Sequence, residues 1–167
     1  SITLNADGTY TANNIDLSTL NDGTLTSTIV STDIEGNTAS SSDTIVKDVV
    51  VSSPTLSLDE SKDSDSTPNQ TNDLTPKMLV TTDSDLFKIE ISSSAGVVAV
   101  ASRTSLSASW NFTGTGLSRD ASGKFFYEAP TQKEENVTFT SKVTDHAGNT
   151  NTDSITFKVE VATVTEI

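Results

Sequence analysis

Val137-Thr138-Phe139-Thr140-Ser141-Lys142-Val143, then Thr144-Asp145-His146-Ala147-Gly148-Asn149-Thr150, then Ile155-Thr156-Phe157-Lys158-Val159-Glu160-Val161, is the stretch that decides the fold. Every second residue of the first run is apolar or small, and the residues between are polar. A period of two places Val137, Phe139, Ser141 and Val143 on one face of a strand and Thr138, Thr140 and Lys142 on the other. Ile155, Phe157, Val159 and Val161 alternate in the same way with Thr156, Lys158 and Glu160. Two such runs around a turn that holds Gly-Asn predict a β-hairpin.

The turn pattern occurs twice. Thr32-Asp33-Ile34-Glu35-Gly36-Asn37-Thr38 matches Thr144 to Thr150 at every position but the two in the middle of the turn. Ahead of the first copy lies Asp7-Gly8-Thr9-Tyr10, much as Ser122-Gly123-Lys124-Phe125 lies ahead of the second. A repeat on this scale marks an array of similar modules. Residues 1–48 read as the C-terminal half of one module, joined near Lys47-Asp48-Val49 to a complete module over residues 49–167. Gly and Pro are scarce at that joint, so a floppy linker is not expected.

Alternating runs predict further strands at residues 25–32, 55–58, 77–81, 87–91, 96–100, 106–112 and 124–128, and no helical period is sustained. In the 106–112 run, Leu106, Ala108, Trp110 and Phe112 share a face. Strands at this spacing, with Gly, Asn, Asp and Ser turns between them, predict an all-β, Ig-like Greek-key β-sandwich in a tandem array. The Cys…Trp…Cys marker of antibody domains is absent, so the expectation concerns architecture alone. Trp110, Phe112, Phe139, Phe157 and Val159 are the expected core. Residues 1–48 hold too few strands to bury both faces of a sheet. They are expected to depend on a missing N-terminal half, a neighbouring chain or the complete module.

Composition narrows the function. Hydrophobic residues make up 33% of the 167 residues and aromatics 5%, so any core is thin. The formal net charge of −13 repels nucleic acid and anionic membrane surfaces, and neither is an expected partner. There is no cysteine, which removes disulfides, thiolate metal sites and a cysteine nucleophile. A bound metal is one other staple open to a thin domain. No stretch is apolar for long enough to cross a bilayer as a helix. His146 is the only histidine, so His-based metal clusters and a Ser-His-Asp arrangement gain no support. Trp110 reads as a core residue before a sugar platform, and Glu134-Glu135 as solvated charge.

The order of motifs resembles the bacterial Ig-like repeats of giant secreted adhesins, including the RTX-type extender regions. It is carried by Thr-Asp-x-x-Gly-Asn-Thr near a module's end and by a Lys47-Asp48 junction. The opening completes it: Pro54-Thr55-Leu56-Ser57-Leu58, then Lys62-Asp63-Ser64-Asp65, then Asn69-Gln70-Thr71-Asn72-Asp73-Leu74-Thr75-Pro76. That resemblance implies a non-enzymatic extender module at the bacterial surface or secreted, with neighbouring modules of the same polypeptide as partners and a host ligand bound elsewhere. It also implies calcium at the junctions. The residues suit that ion, which takes six to eight oxygens from carboxylates and carbonyls. Asp33, Glu35 and Asn37 on one loop, Asp48 at the junction, and Asp59, Asp63 and Asp65 at the next opening are the expected ligands. Asp145 and Asn149 are expected to serve a further junction at the far end. The alternative is that Asp and Asn simply make the turns, with side chains bonded to nearby backbone amides. Asp65 replaces a family glycine, and Pro68 falls where a further aspartate is expected, which points to a different ligand set or fewer ions. Competing functions are a glycan- or protein-binding module, using the 62–72 loop or the 114–123 region, and an accessory β-sandwich of a secreted hydrolase.

Overall fold

A computed structural model describes residues 2–59, 61 and 67–160, and the structural statements that follow concern those residues. They divide into two compact units, residues 1–49 and 50–167. The first holds β1 (Ile2–Leu4), β2 (Tyr10–Ala12), β3 (Gly23–Thr32) and β4 (Thr38–Lys47). These form two separate hairpins. The long one is registered over ten pairs, from Gly23↔Lys47 at its base to Thr32↔Thr38 at its tip.

The second unit holds β5 (Thr55–Leu58), β6 (Gln70–Thr71), β7 (Lys77–Thr81), β8 (Leu86–Ser93) and β9 (Gly96–Ser102). It continues with β10 (Asn111–Gly114), β11 (Leu117–Arg119), β12 (Phe125–Glu128), β13 (Asn136–Asp145) and β14 (Thr150–Val159). One sheet has the order β10-β9-β8-β13-β14-β6, the other β11-β12-β7-β5. The chain crosses between sheets from β5 to β6, from β6 to β7, from β7 to β8, from β10 to β11 and from β12 to β13. This is the Greek-key order of an Ig-like β-sandwich. All pairings are antiparallel except that of the short β6 with β14.

Facing side chains of the two sheets make the core. Met78, Val80, Leu86, Ile89 and Ile91 pack with Tyr127, Phe139, Val143, Phe157 and Val159. Alternation along β13 is complete: Val137, Phe139, Ser141, Val143 and Asp145 are buried, and the residues between them are not. On the outer face Thr138 meets Thr156 and Thr140 meets Ser154, each hydroxyl pair at 2.8 Å. Tyr127 lies at 5.5 Å from Phe139, and its buried hydroxyl has no hydrogen-bond partner among the described residues.

The 106–112 run departs from expectation. Only its end is a strand, and Leu106 and Phe112 are 55% and 39% exposed. Arg103 explains the difference. Its guanidinium donates to the carbonyls of Leu86 (2.6 Å), Ser84 (2.6 Å) and Leu106 (2.8 Å), which holds the chain after β9 in a loop. Trp110 is half-buried: its ring stands edge-on to Phe125 at 4.9 Å, and Arg103 caps it at 4.8 Å.

Candidate functional site

Five-residue turns dominate the candidate residues. Asn5-Ala6-Asp7-Gly8-Thr9, Asp33-Ile34-Glu35-Gly36-Asn37, Asp120-Ala121-Ser122-Gly123-Lys124 and Asp145-His146-Ala147-Gly148-Asn149 share one geometry. In each, the first residue's N–H donates to the fifth residue's carbonyl, at 2.7, 2.9, 2.9 and 3.1 Å in that order. The glycine N–H returns to the first residue's carbonyl at 3.0 to 3.3 Å. This geometry is a tight turn closed by a residue in the left-handed region, the glycine-bulge hairpin loop. Gly148, with φ of 94°, shows why the fourth position is glycine: a Cβ is disfavoured there.

The aspartate side chains stabilise these turns. Asp145 accepts from the Asn149 N–H and from Asn149 Nδ2, both at 2.8 Å, while its residue is 1% exposed. Asp33 accepts from the Glu35 N–H (2.9 Å), the Asn37 N–H (2.8 Å) and Asn37 Nδ2 (2.8 Å) in an exposed turn. The bond from the Asn37 side chain is the main cause that holds the Asp33 carboxyl below its ordinary pKa. Asp120 takes the Ser122 hydroxyl at 2.8 Å and the Lys124 N–H at 2.9 Å, and is lowered first by that hydroxyl. The sequence reading did not select Asp120 or Asn5, although the spacing to glycine is the same in all four turns.

Strand direction then assigns each aspartate to an end of its unit. In the first unit, Asp33, Glu35 and Asn37 stand at the tip of the β3–β4 hairpin, and half-buried Asp48 follows its base. Ten residues at about 3.3 Å each separate tip from base by roughly 30 Å. A single ion therefore cannot take ligands from both, contrary to the expected convergence. At the base, Lys47 lies 3.8 Å from Asp22, which also accepts the Val49 N–H at 3.0 Å.

In the second unit the Asp145 turn stands at the pole where the chain enters. Asn151 Nδ2 donates to the Val51 carbonyl at 3.1 Å, the Leu56 N–H to Asp153 at 2.9 Å, and the Ser52 N–H to Asp83 at 3.2 Å. The expectation that Asp145 and Asn149 mark the far end is corrected by this strand order. Asp59 belongs to the opposite pole, because β5 runs from Thr55↔Thr81 to Leu58↔Met78, away from residues 82–85. Its carboxylate lies 3.5 Å from Lys77 Nζ and accepts the Ser61 N–H at 3.2 Å. Ser61 is the leading cause that lowers the Asp59 pKa. Asp63 and Asp65 lie outside the described residues.

As a test of fit to calcium, the donors are hard oxygens of the right kind. Asp145 accepts two hydrogen bonds from Asn149 on a carboxylate that has about four lone-pair sites. Among the described residues, however, no three His, Cys, Asp or Glu side chains come together as a metal-holding group. His146 is exposed and stands edge-on to Phe87 at 5.6 Å. No helix among these residues is long and apolar enough to cross a membrane.

No family model and no curated protein matches the chain. A solved tetra-tandem repeat from the extending region of a large adhesion protein is 23% identical, at a TM-score of 0.41. That match covers 95% of this chain and 37% of the other. Fibronectin(III)-like modules of Clostridium thermocellum CbhA are 18% identical at a TM-score of 0.38, covering 84% of this chain and 64% of theirs. The chain thus spans well under half of the first structure and just under two thirds of the second. Its Ig-like assignment rests on its own strand order.

Proposed function

We propose that this chain is a structural extender segment of a bacterial surface adhesin, in which β-sandwich modules are joined end to end and calcium at the junctions stiffens the array. The observation that carries the reading is the polarity of the second unit. The chain enters it beside the Asp145 turn and leaves β14 at the other pole, where the Glu160 N–H donates to the Thr71 carbonyl at 2.9 Å. A module with entry and exit at opposite poles adds its full length to an array. The recurrence of the Asp-x-x-Gly-Asn hairpin in both units supports the array.

Calcium ligands in this reading come from Asp48, from Asp59 with Asp63 and Asp65, and from Asp33, Asp145 and their turn partners Glu35, Asn37 and Asn149. When bound, the ion would offset the acidic charge gathered at module ends. The test is thermal unfolding and small-angle scattering of the intact chain, with calcium and then with a chelator. The reading expects a higher Tm and a longer maximum dimension with calcium, because an ion held only by the folded state stabilises that state. Identical curves under both conditions would remove calcium from the account.

A further inference from the structure

Every strand position of the first unit is exposed except Leu25 and Lys47, which are half-buried. The internal repeat states what these strands lack. With the Asp33 turn set on the Asp145 turn, β3–β4 overlays β13–β14. With Asn5 set on Asp120, β1–β2 overlays β11–β12. Ile2, Tyr10, Ile29 and Ile45, at 76%, 72%, 71% and 63% exposure, then fall on Leu117, Phe125, Ser141 and Phe157, at 8%, 5%, 0% and 1%. These four exposed apolar residues thus occupy positions that are buried in the other unit, while Leu4, Val30 and Val46 fall on exposed Arg119, Lys142 and Lys158. Intervening positions in β3 and β4 are mostly Thr and Ser, which suits a solvent face.

The edges match too. In the second unit β13 is bordered by β14 and β8, and β12 by β11 and β7. In the first unit β3 has only β4, and β2 only β1. Both open edges therefore correspond to places filled by β7 and β8. An open apolar sheet of this kind is a template for strand addition.

We propose that the first unit is a strand acceptor, whose β2 and β3 edges and apolar face are completed by a segment from a module of the same type, carrying strands like β7 and β8. Such a donor presents alternating apolar residues, as Met78 and Val80 or Ile89 and Ile91 do, and also lysines, as at Lys77 and Lys88. Charge selects this occupant over a second copy of the acceptor. Residues 1–49 hold seven acidic residues and one lysine, so two acceptors face to face repel more strongly than an acceptor and strands like β7 and β8, which carry Lys77 and Lys88 against Glu90.

The test joins a second copy of residues 50–116 directly ahead of Ile2, because Ile2 overlays Leu117. Amide hydrogen exchange is read in the extended and the unextended chain, with amides of the 50–167 unit as internal control. The proposal expects β3 amides to exchange at least a hundredfold more slowly in the extended chain, and Ile45→Asp to abolish the gain. A cysteine pair gives a second readout in this cysteine-free chain. Glu90 pairs with Lys142, the counterpart of Val30. Val30→Cys should therefore form a disulfide with Glu90→Cys of the added segment. Unchanged β3 exchange together with no crosslink would overturn the proposal. So would protection already present in the unextended chain, whether independent of concentration or rising with it as a second copy binds.

Discussion

Asp145 and Asp33 have the same partners and different surroundings, and their substitution separates turn-making from cation binding. Asp145→Ala leaves the Asn149 N–H and side-chain amide without the acceptor that each meets at 2.8 Å, in a nearly buried turn. The expected loss in the absence of any metal is about 1–3 kcal/mol. Asp33→Ala should cost less, because water replaces the acceptor in an exposed turn. Denaturant unfolding in chelator measures both, and an Asp145→Ala variant as stable as the parent would contradict the turn role. At Tyr127 the sign reverses. Its hydroxyl is buried without a partner among the described residues, and burial pushes its pKa up. Tyr127→Phe should therefore be neutral or stabilising by the same measurement. Gly116 is the most crowded of the glycines: a Cβ there would lie 2.0 Å from the Glu128 carbonyl oxygen, at a φ of 87°. Gly116→Ala should destabilise by about 1–3 kcal/mol or more.

At the scale of elements, hairpins set both stability and its pH dependence. Phe157 on β14 is 1% exposed and stacks with Phe139 at 6.2 Å. Phe157→Ala should cost about 3–5 kcal/mol by denaturant titration. Asp7, Asp33 and Asp120 all have lowered folded pKa values, caused first by side-chain hydrogen bonds from Thr9, Asn37 and Ser122. Their contribution is complete above the ordinary carboxylate pKa of about 3.9 and is lost as pH falls through the lower folded values. Amides of these three turns should exchange faster in that acid window, while β13 and β14 amides stay protected. Uniform behaviour across the chain would count against the local origin.

What the sequence made legible follows from which signals are local. The alternation of Val137, Phe139 and Val143 is local, and the hairpin it predicts extends over β13 and β14. The 106–112 run carried the same period and mostly is not a strand, because three carbonyls bonded to Arg103 outweigh it. Two of those carbonyls, at Leu86 and Ser84, lie far upstream, so no window around residue 106 contains them. The candidate site divides in the same way. Asp-x-x-Gly-Asn announced the turns, yet which pole each turn occupies depends on strand direction counted through a whole sandwich.

For the whole molecule, the account requires modules that add length. Each spans about ten paired residues between poles, which is roughly 33 Å before the connecting residues are included. In the proposed array the acidic surplus would have opposite effects on solubility and on stiffness: it would favour solubility, and it would make the joints repel unless cations offset it. The most direct measurement is small-angle scattering on polypeptides that carry residues 50–167 in two, three and four tandem copies, in calcium and in chelator. The account predicts a maximum dimension that rises by a constant increment of roughly 35–40 Å per copy in calcium, and by less in chelator. Growth that flattens with copy number in calcium would contradict it.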